Sequence, residues 1–170
     1  MRVAPPEPPL SDGVVVLRPL EERDLGAIER AAGDAEIRKW FDLHTRRPAD
    51  YLAAKRAAWT EGTGASFAIC DATQPDTCLG HVFVERADDG GASIGYWLLE
   101  DGRGEGRATR AVRLAGSWAL REMLLPRLQL RTHPENAASQ RVAERAGFTR
   151  DGVRADAVVY SLLSHDVPPT

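Results

Sequence analysis

The chain has 170 residues, 43% apolar and 28% charged, with 22 Lys and Arg against 25 Asp and Glu for a formal net charge of −3. That length fits a single domain of about 100–200 residues with its own core. The apolar share excludes a disordered chain, no run approaches the ~18 apolar residues of a membrane span, and the slightly acidic balance speaks against binding nucleic acid or an anionic membrane.

The opening MRVAPPEPPL lacks the apolar stretch of a secretory signal, so a cytoplasmic protein is expected, with residues 1–12 as a disordered Pro-rich tail. Val14 to Leu17 carry the first strand signal, stopped by Pro19. EERDLGAIERAAG, with acids in its first turn, predicts a helix ending at Gly33, and a second begins near Pro48 and stops at Gly62. The period then changes to two. SFAICD, CLGHVFVERAD and ASIGYWLLE read as three antiparallel strands joined by turns at Gln74-Pro75-Asp76 and Gly90-Gly91. Cys70 and Cys78 are too few for a disulfide framework and lack metal-ligand spacing, so free thiols and no metal site are expected.

Glycine-rich DGRGEG follows, and then Ala108, Ala111, Val112, Ala115, Ala119 and Met123 form one helical stripe closed by Pro126. PRLQLRTH is a strand, Asn136 to Ala146 a helix stopped at Gly147, and FTRDGVRAD and AVVYSLL the last two strands. The expected order is β-αα-βββ-α-β-α-ββ: an α+β fold with a mostly antiparallel sheet of about seven strands, about four helices and one β-α-β crossover. A tail over residues 164–170 closes a domain spanning 13–163.

The most informative stretch is the strand, glycine loop and helix of IGYWLLEDGRGEGRATR. The helix starts without a side-chain cap, so its first amides have no acceptor and sit at the positive end of the helix dipole. Gly102, Gly104 and Gly106 permit a sharp turn and close approach of a ligand, which suits a phosphate or pyrophosphate. A Walker loop fails because Arg107-Ala108 replaces Lys-Ser/Thr, and a dinucleotide fingerprint fails at Thr109. A plain strand-to-helix connector is the competing reading.

The run Arg103-Gly104-Glu105-Gly106-Arg107-Ala108 resembles the pyrophosphate loop of the GNAT acyl-CoA-dependent N-acetyltransferases. Ile94-Gly95-Tyr96-Trp97 before it, with Asn136, Ser139 and Gly147-Phe148 after it, is similar to the RimJ/RimL branch of ribosomal-protein N-terminal acetyltransferases. The resemblance implies the GNAT fold and acetyl-CoA as cofactor. It implies that Arg103, Gly104, Glu105, Gly106, Arg107, Ala108 and Thr109 cradle the pyrophosphate. The strand of Trp97, Leu98 and Leu99 then pairs with the pantetheine arm, a main-chain amide near Leu98 or Leu99 stabilises the oxyanion, and Asn136 and Ser139 reach toward the sulfur. A tyrosine acid common in the family is replaced by Ala143, which nominates Ser139 as the proton donor.

For the base, His133 ends the strand before Asn136, whereas a rim histidine is the plainer alternative. His81 and Glu85 share a strand face with Phe83 by period two, and Tyr96 could meet the amine; packing or solvation explains each as well. The segment Trp40-Phe41-Asp42-Leu43-His44 joins the first two helices, and in the resembled fold that connection walls the acceptor site. The expected acceptor is a protein or peptide α-amine. A small amine (antibiotic, polyamine or amino acid) is the nearest alternative, and a non-catalytic acyl-CoA-binding domain a further one. Dimers are common in the resembled branch, although the sequence carries no interface signature.

Overall fold

The computed structural model describes residues 2–43 and 46–168; Met1, His44, Thr45, Pro169 and Thr170 lie outside the described residues. Its strands are β1 (Leu10–Ser11), β2 (Val15–Arg18), β3 (Gly64–Asp71), β4 (Gly80–Arg86), β5 (Ala92–Leu98), β6 (Arg127–Thr132), β7 (Thr149–Arg154) and β8 (Ala157–Leu163). The helices are α1 (Leu25–Gly33), α2 (Ala35–Arg38), α3 (Pro48–Glu61), α4 (Arg107–Glu122) and α5 (Ala137–Arg145). One eight-stranded sheet runs β1-β2-β3-β4-β5-β6-β8-β7. Every neighbouring pair is antiparallel except β5 and β6, which are parallel and joined through α4. This is the expected α+β fold with its single crossover.

The described residues thus hold one strand and one helix more than the sequence reading. β1 lies in the stretch assigned to the Pro-rich tail; it pairs Leu10 with Leu17 and Ser11 with Val16, and two residues are too few to leave a period-two pattern. Val3 and Leu10 also pack against the core. α2 is one turn, started by Asp34, whose side chain accepts from the amides of Glu36 and Ile37. At the other end Ser164–Asp166 form a 3-10 turn and Val167 packs on the core.

Two apolar layers sandwich the sheet. On one face α4 lays Ala111, Val112, Ala115 and Trp118 over Phe67, Val82, Ile94 and Leu128. There Trp59, Phe67 and Trp118 meet edge to face with centroids 5.3–5.6 Å apart, each such pair worth about 0.5–1.5 kcal/mol beyond its buried area. On the other face α1, α2 and the start of α3 cover Ala68, Cys70 and Trp97 through Ile28, Ile37, Tyr51 and Leu52. No helix among the described residues is long and apolar enough to cross a membrane.

The feature that positions the site is a splay. β5 and β6 pair only at Ala92–Leu128 and Ser93–Gln129 and then diverge. From there the sheet opens toward the loop that leads into α4.

Candidate active site

A cavity of about 960 Å³ fills the splay, lined by β5, the glycine loop, the first turn of α4, the end of β6, α5 and the segment after α2. That volume sits at the upper end of the range for cofactor pockets.

At its floor the chain passes from Leu98 through the 3-10 turn Glu100–Gly102 to Gly106, which starts α4. Gly104 and Gly106 adopt φ of +85° and +72°; a Cβ on either would meet nothing within 4 Å, and among the described residues neither amide has a main-chain hydrogen-bond partner. α4 has no side-chain cap, as the sequence predicts. The two arginines of the loop are largely committed to the protein. Arg103 binds the Leu98 carbonyl through Nε and Nη2 and pairs with Asp34 at 2.8 Å. Arg107 pairs with Asp71 at 3.1 Å and with the exposed Glu105 at 2.9 Å. The Thr73 hydroxyl and amide, together with Arg107, hold the Asp71 carboxyl down to about 2. The Arg107 Nε, however, is buried without a partner.

Strand parity decides which groups face the splay. The Leu99 amide donates to the Leu79 carbonyl at 2.8 Å and Ala87 to Gly91, so in this antiparallel register odd-numbered β5 residues bond β4. The main-chain groups of Tyr96 and Leu98 therefore point away from β4 into the gap. Leu99 cannot serve as the oxyanion donor considered for it; its amide is already spent, and the residue is 1% exposed in the core and does not line the cavity. On the opposite wall the Thr132 hydroxyl is buried without a partner. Asn136 caps α5 by accepting from the Ser139 amide at 3.1 Å, leaving the Ser139 side chain at the cavity. Burial pushes the Tyr96 phenol up, and the Ser139 hydroxyl bonded to it pulls the other way.

On the far side of the sheet the cavity mouth is aromatic. Trp40 stacks on His133 with centroids 5.4 Å apart, and Phe41 meets Phe83 edge-on at 6.2 Å. The Phe83 ring occupies the space over Gly95, where a Cβ would stand 2.7 Å from it. His133 Nδ1 accepts from the Glu135 amide at 3.1 Å, so the neutral ring carries its proton on Nε2, the arrangement of a donor and not of a base.

Of the residues named from sequence, the cavity gathers Trp97, Leu98, Arg103, Gly104, Gly106, Arg107, Ala108 and Thr109. It also gathers Asn136, Ser139, His133, Trp40 and Tyr96. Glu105, His81 and Glu85 are not among its lining residues. His81 is fully buried, with Nδ1 2.7 Å from the Tyr51 hydroxyl, which also accepts from the Trp97 indole. Burial, reinforced by Lys55, holds its pKa well below the ordinary histidine value. Glu85 pairs with Lys55 at 2.9 Å, and Lys55 in turn lies 4.2 Å over the Phe83 ring. His44 of the proposed acceptor wall lies outside the described residues. Sequence reasoning missed the roles of Thr132, Arg131, Arg141 and Arg145 as lining residues; the spacing of 138, 141, 142 and 145 along one face of α5 was the available signal.

Of the three buried side-chain polar atoms without a partner among the described residues, His81 Nε2 lies away from the cavity. The other two, Arg107 Nε and Thr132 Oγ1, together with the unpaired amides of the loop, make a cavity built to hold a long ligand with an anionic end. Among the described residues no group of three or more His, Cys, Asp or Glu could hold a metal ion.

Residues 15–149 match the family described as the acetyltransferase (GNAT) domain. The chain is 32% identical to a probable N-acetyltransferase, YjcK, of Bacillus subtilis, over 85% of each protein. An acetyltransferase from Agrobacterium tumefaciens superimposes with a TM-score of 0.77 at 23% identity, covering 95% of this chain and 98% of that one. RimJ of Mycobacterium smegmatis, solved in complex with CoA-disulfide, gives 0.77 at 22% identity, over 95% and 88% respectively. At these identities the two structures show a shared fold.

Proposed function

The chain belongs to the GNAT acetyltransferase family, and from that membership we propose that it moves an acetyl group directly from acetyl-CoA to the N-terminal α-amine of a protein or peptide. GNAT acetyltransferases use acetyl-CoA, and the cavity's features fit it: amides at Gly104 and Gly106 with Arg107 Nε for the pyrophosphate, and the main-chain groups of Tyr96 and the Leu98 amide with Thr132 Oγ1 for the pantetheine arm. Acetyl-CoA supplies an acyl thioester whose carbonyl carbon accepts the amine.

The residues of this chain divide the remaining work. The Leu98 amide stabilises the developing oxyanion, in a site where a preorganised donor counts for more than in water. Ser139 donates a proton to the departing sulfur as the C–S bond breaks, with the Tyr96 phenol beside it. It regains one from the amine nitrogen, which sheds it on forming the C–N bond. Trp40, Phe41 and Phe83 hold the first side chain of the acceptor. His133 orients the acceptor by donating from Nε2; a base role would require its ring to release the Glu135 amide.

One observation carries the choice of acceptor. Among the described residues lining the cavity the only carboxylate is Glu36, and it is paired with Lys39 at 2.7 Å. With no free carboxylate in the lining to take its proton, the amine has to arrive neutral. An α-amine, with a pKa of about 7.7–8.0, is partly neutral at pH 7, whereas a lysine near 10.4 is almost wholly charged.

Mass spectrometry of peptides incubated with the protein and acetyl-CoA tests this reading. Peptides with a free N-terminus should gain one acetyl group there; the same peptides N-blocked but carrying lysines should gain none. Acetylation confined to polyamines, amino acids or aminoglycosides in the same panel would replace the α-amine reading with the small-molecule one.

A further inference from the structure

The aromatic mouth and the cofactor loop come from distant parts of the chain, yet one guanidinium touches both. Trp40 and Phe41 of the mouth hang from α2. Their amides donate to the Ile37 carbonyl at 3.0 and 2.9 Å, and the Arg38 amide donates to the Asp34 carbonyl at 3.0 Å. From Asp34 to Phe41 the chain is therefore one hydrogen-bonded unit, far short of the length at which a helix stands alone. Burial of Ile37 holds it against the sheet, and the Asp34 carboxylate starts it.

That carboxylate has a second bond that a cap does not need. Its Oδ1, which takes the Glu36 and Ile37 amides, also accepts from Arg103 Nη2 at 2.8 Å, 69 positions away in the chain. The same Nη2, with Nε, holds the Leu98 carbonyl at 2.8 and 3.1 Å. The Asp34 and Arg103 side chains are only 15% and 32% exposed, so solvent screens this pair less than a surface one. A second pair, Arg30 of α1 with Asp101 of the loop at 3.2 Å, runs beside it but is exposed and adds little. Asp34 itself is not among the residues lining the cavity.

Resting on the acceptor reading above, we propose that Asp34 is a positioning residue for the transfer step. Acting through Arg103, it holds the wall of Trp40 and Phe41 in register with the Leu98 amide, so that a peptide N-terminus seated at the mouth meets the thioester carbonyl. Apolar packing keeps α2 against the sheet, whereas a directional, charge-assisted bond fixes where along β5 it sits. That precision matters, because reacting atoms have to lie about 3–3.5 Å apart and a misplacement of about 1 Å costs on the order of a hundredfold.

Steady-state kinetics with acetyl-CoA and a peptide of free N-terminus test the assignment on the unaltered protein, D34S and D34N. Serine caps a helix about as well as aspartate, but its shorter side chain leaves Arg103 unbonded. Asparagine keeps an oxygen in place for both the amides and the arginine. In D34S, kcat/KM for the peptide should fall at least tenfold while acetyl-CoA affinity, measured by calorimetry, stays within about twofold. D34N should recover the peptide kcat/KM to within about threefold. An unchanged peptide kcat/KM in D34S would overturn the assignment, as would an equal loss of acetyl-CoA affinity or a failure of D34N to recover. No transfer to the peptide by the unaltered protein would overturn the acceptor reading, and the assignment with it.

Discussion

Arg103 and Asp34 tie the end of β5 to the start of α2. Nη2 of Arg103 lies 2.8 Å from Asp34 Oδ1 and 2.8 Å from the Leu98 carbonyl, and the same Oδ1 accepts the Glu36 and Ile37 amides at 3.0 and 3.1 Å. Burial alone would raise the Asp34 carboxyl, but the Arg103 bond and these amides outweigh it and hold it below the usual range. Asp34→Ala is expected to cost about 1–2 kcal/mol, as for a lost helix cap with an added unpaired partner. Arg103→Ala and the double variant complete a cycle whose coupling should be about 0.5–1 kcal/mol. Because the folded-state pKa is depressed, this stability is complete above about pH 4, the unfolded carboxylate value, and is lost as pH falls through the lowered pKa. Urea unfolding of the four proteins checks both points, and strict additivity would contradict the clamp.

His81 gives a second pH dependence in a different window. Its folded-state pKa is depressed, so the folded protein keeps the ring neutral while the unfolded chain takes up a proton below about 6.5. Stability is complete above that pH and falls on acidification by up to about 1.4 kcal/mol per pH unit until the folded-state value is reached. In His81→Phe this part of the slope between pH 7.5 and 5.5 should vanish. Parallel unfolding curves for the two proteins across that range would contradict it.

The phosphate loop is tested at Gly106. With φ at +72° and open space before its Cβ, Gly106→Glu should fold at a cost of about 1–2 kcal/mol, and its carboxylate should stand where the pyrophosphate binds. Acetyl-CoA or CoA at about a hundred times Kd should stabilise the unaltered protein by roughly 2.7 kcal/mol, a Tm rise of about 5–11 °C, and ATP should not. The variant should show no rise with either; a full rise would refute the loop assignment.

Ser139→Ala separates proton donation from binding. The variant keeps the Asn136 cap, because the cap bonds the Ser139 amide and not its hydroxyl. Turnover should fall at least tenfold with CoA affinity nearly unchanged. An unchanged rate would remove Ser139 from the chemistry.

What could be read from sequence followed the range of the signal. α4 announced itself by a stripe of Ala111, Val112, Ala115 and Ala119, and the loop before it by alternating glycines, since both are local patterns. The aromatic mouth was harder to read because Trp40, Phe83 and His133 come from three distant segments that meet only through the sheet's register. The shortest-range error concerned Leu99. Whether an amide faces a neighbouring strand or an open gap alternates residue by residue, and only the pairing of Leu79 with Leu99 decides it. Strand parity puts His81 on the face of Phe83 without showing what covers it; Tyr51, arriving from α3, makes it a packed histidine, the alternative the sequence also allows.

The two rungs between β5 and β6 also mean that the ladder of this sheet is left for a guest to finish. In the free protein the amides of Tyr96 and Leu98 should exchange with solvent deuterium on the timescale of small openings, while those of Gly95 and Trp97 next to them are held by β4. A bound pantetheine arm would act as a missing strand, slowing exchange along one edge of β5 and joining two half-sheets that otherwise share only Ala92–Leu128 and Ser93–Gln129. The rigidity of the domain is then set by how much cofactor surrounds it.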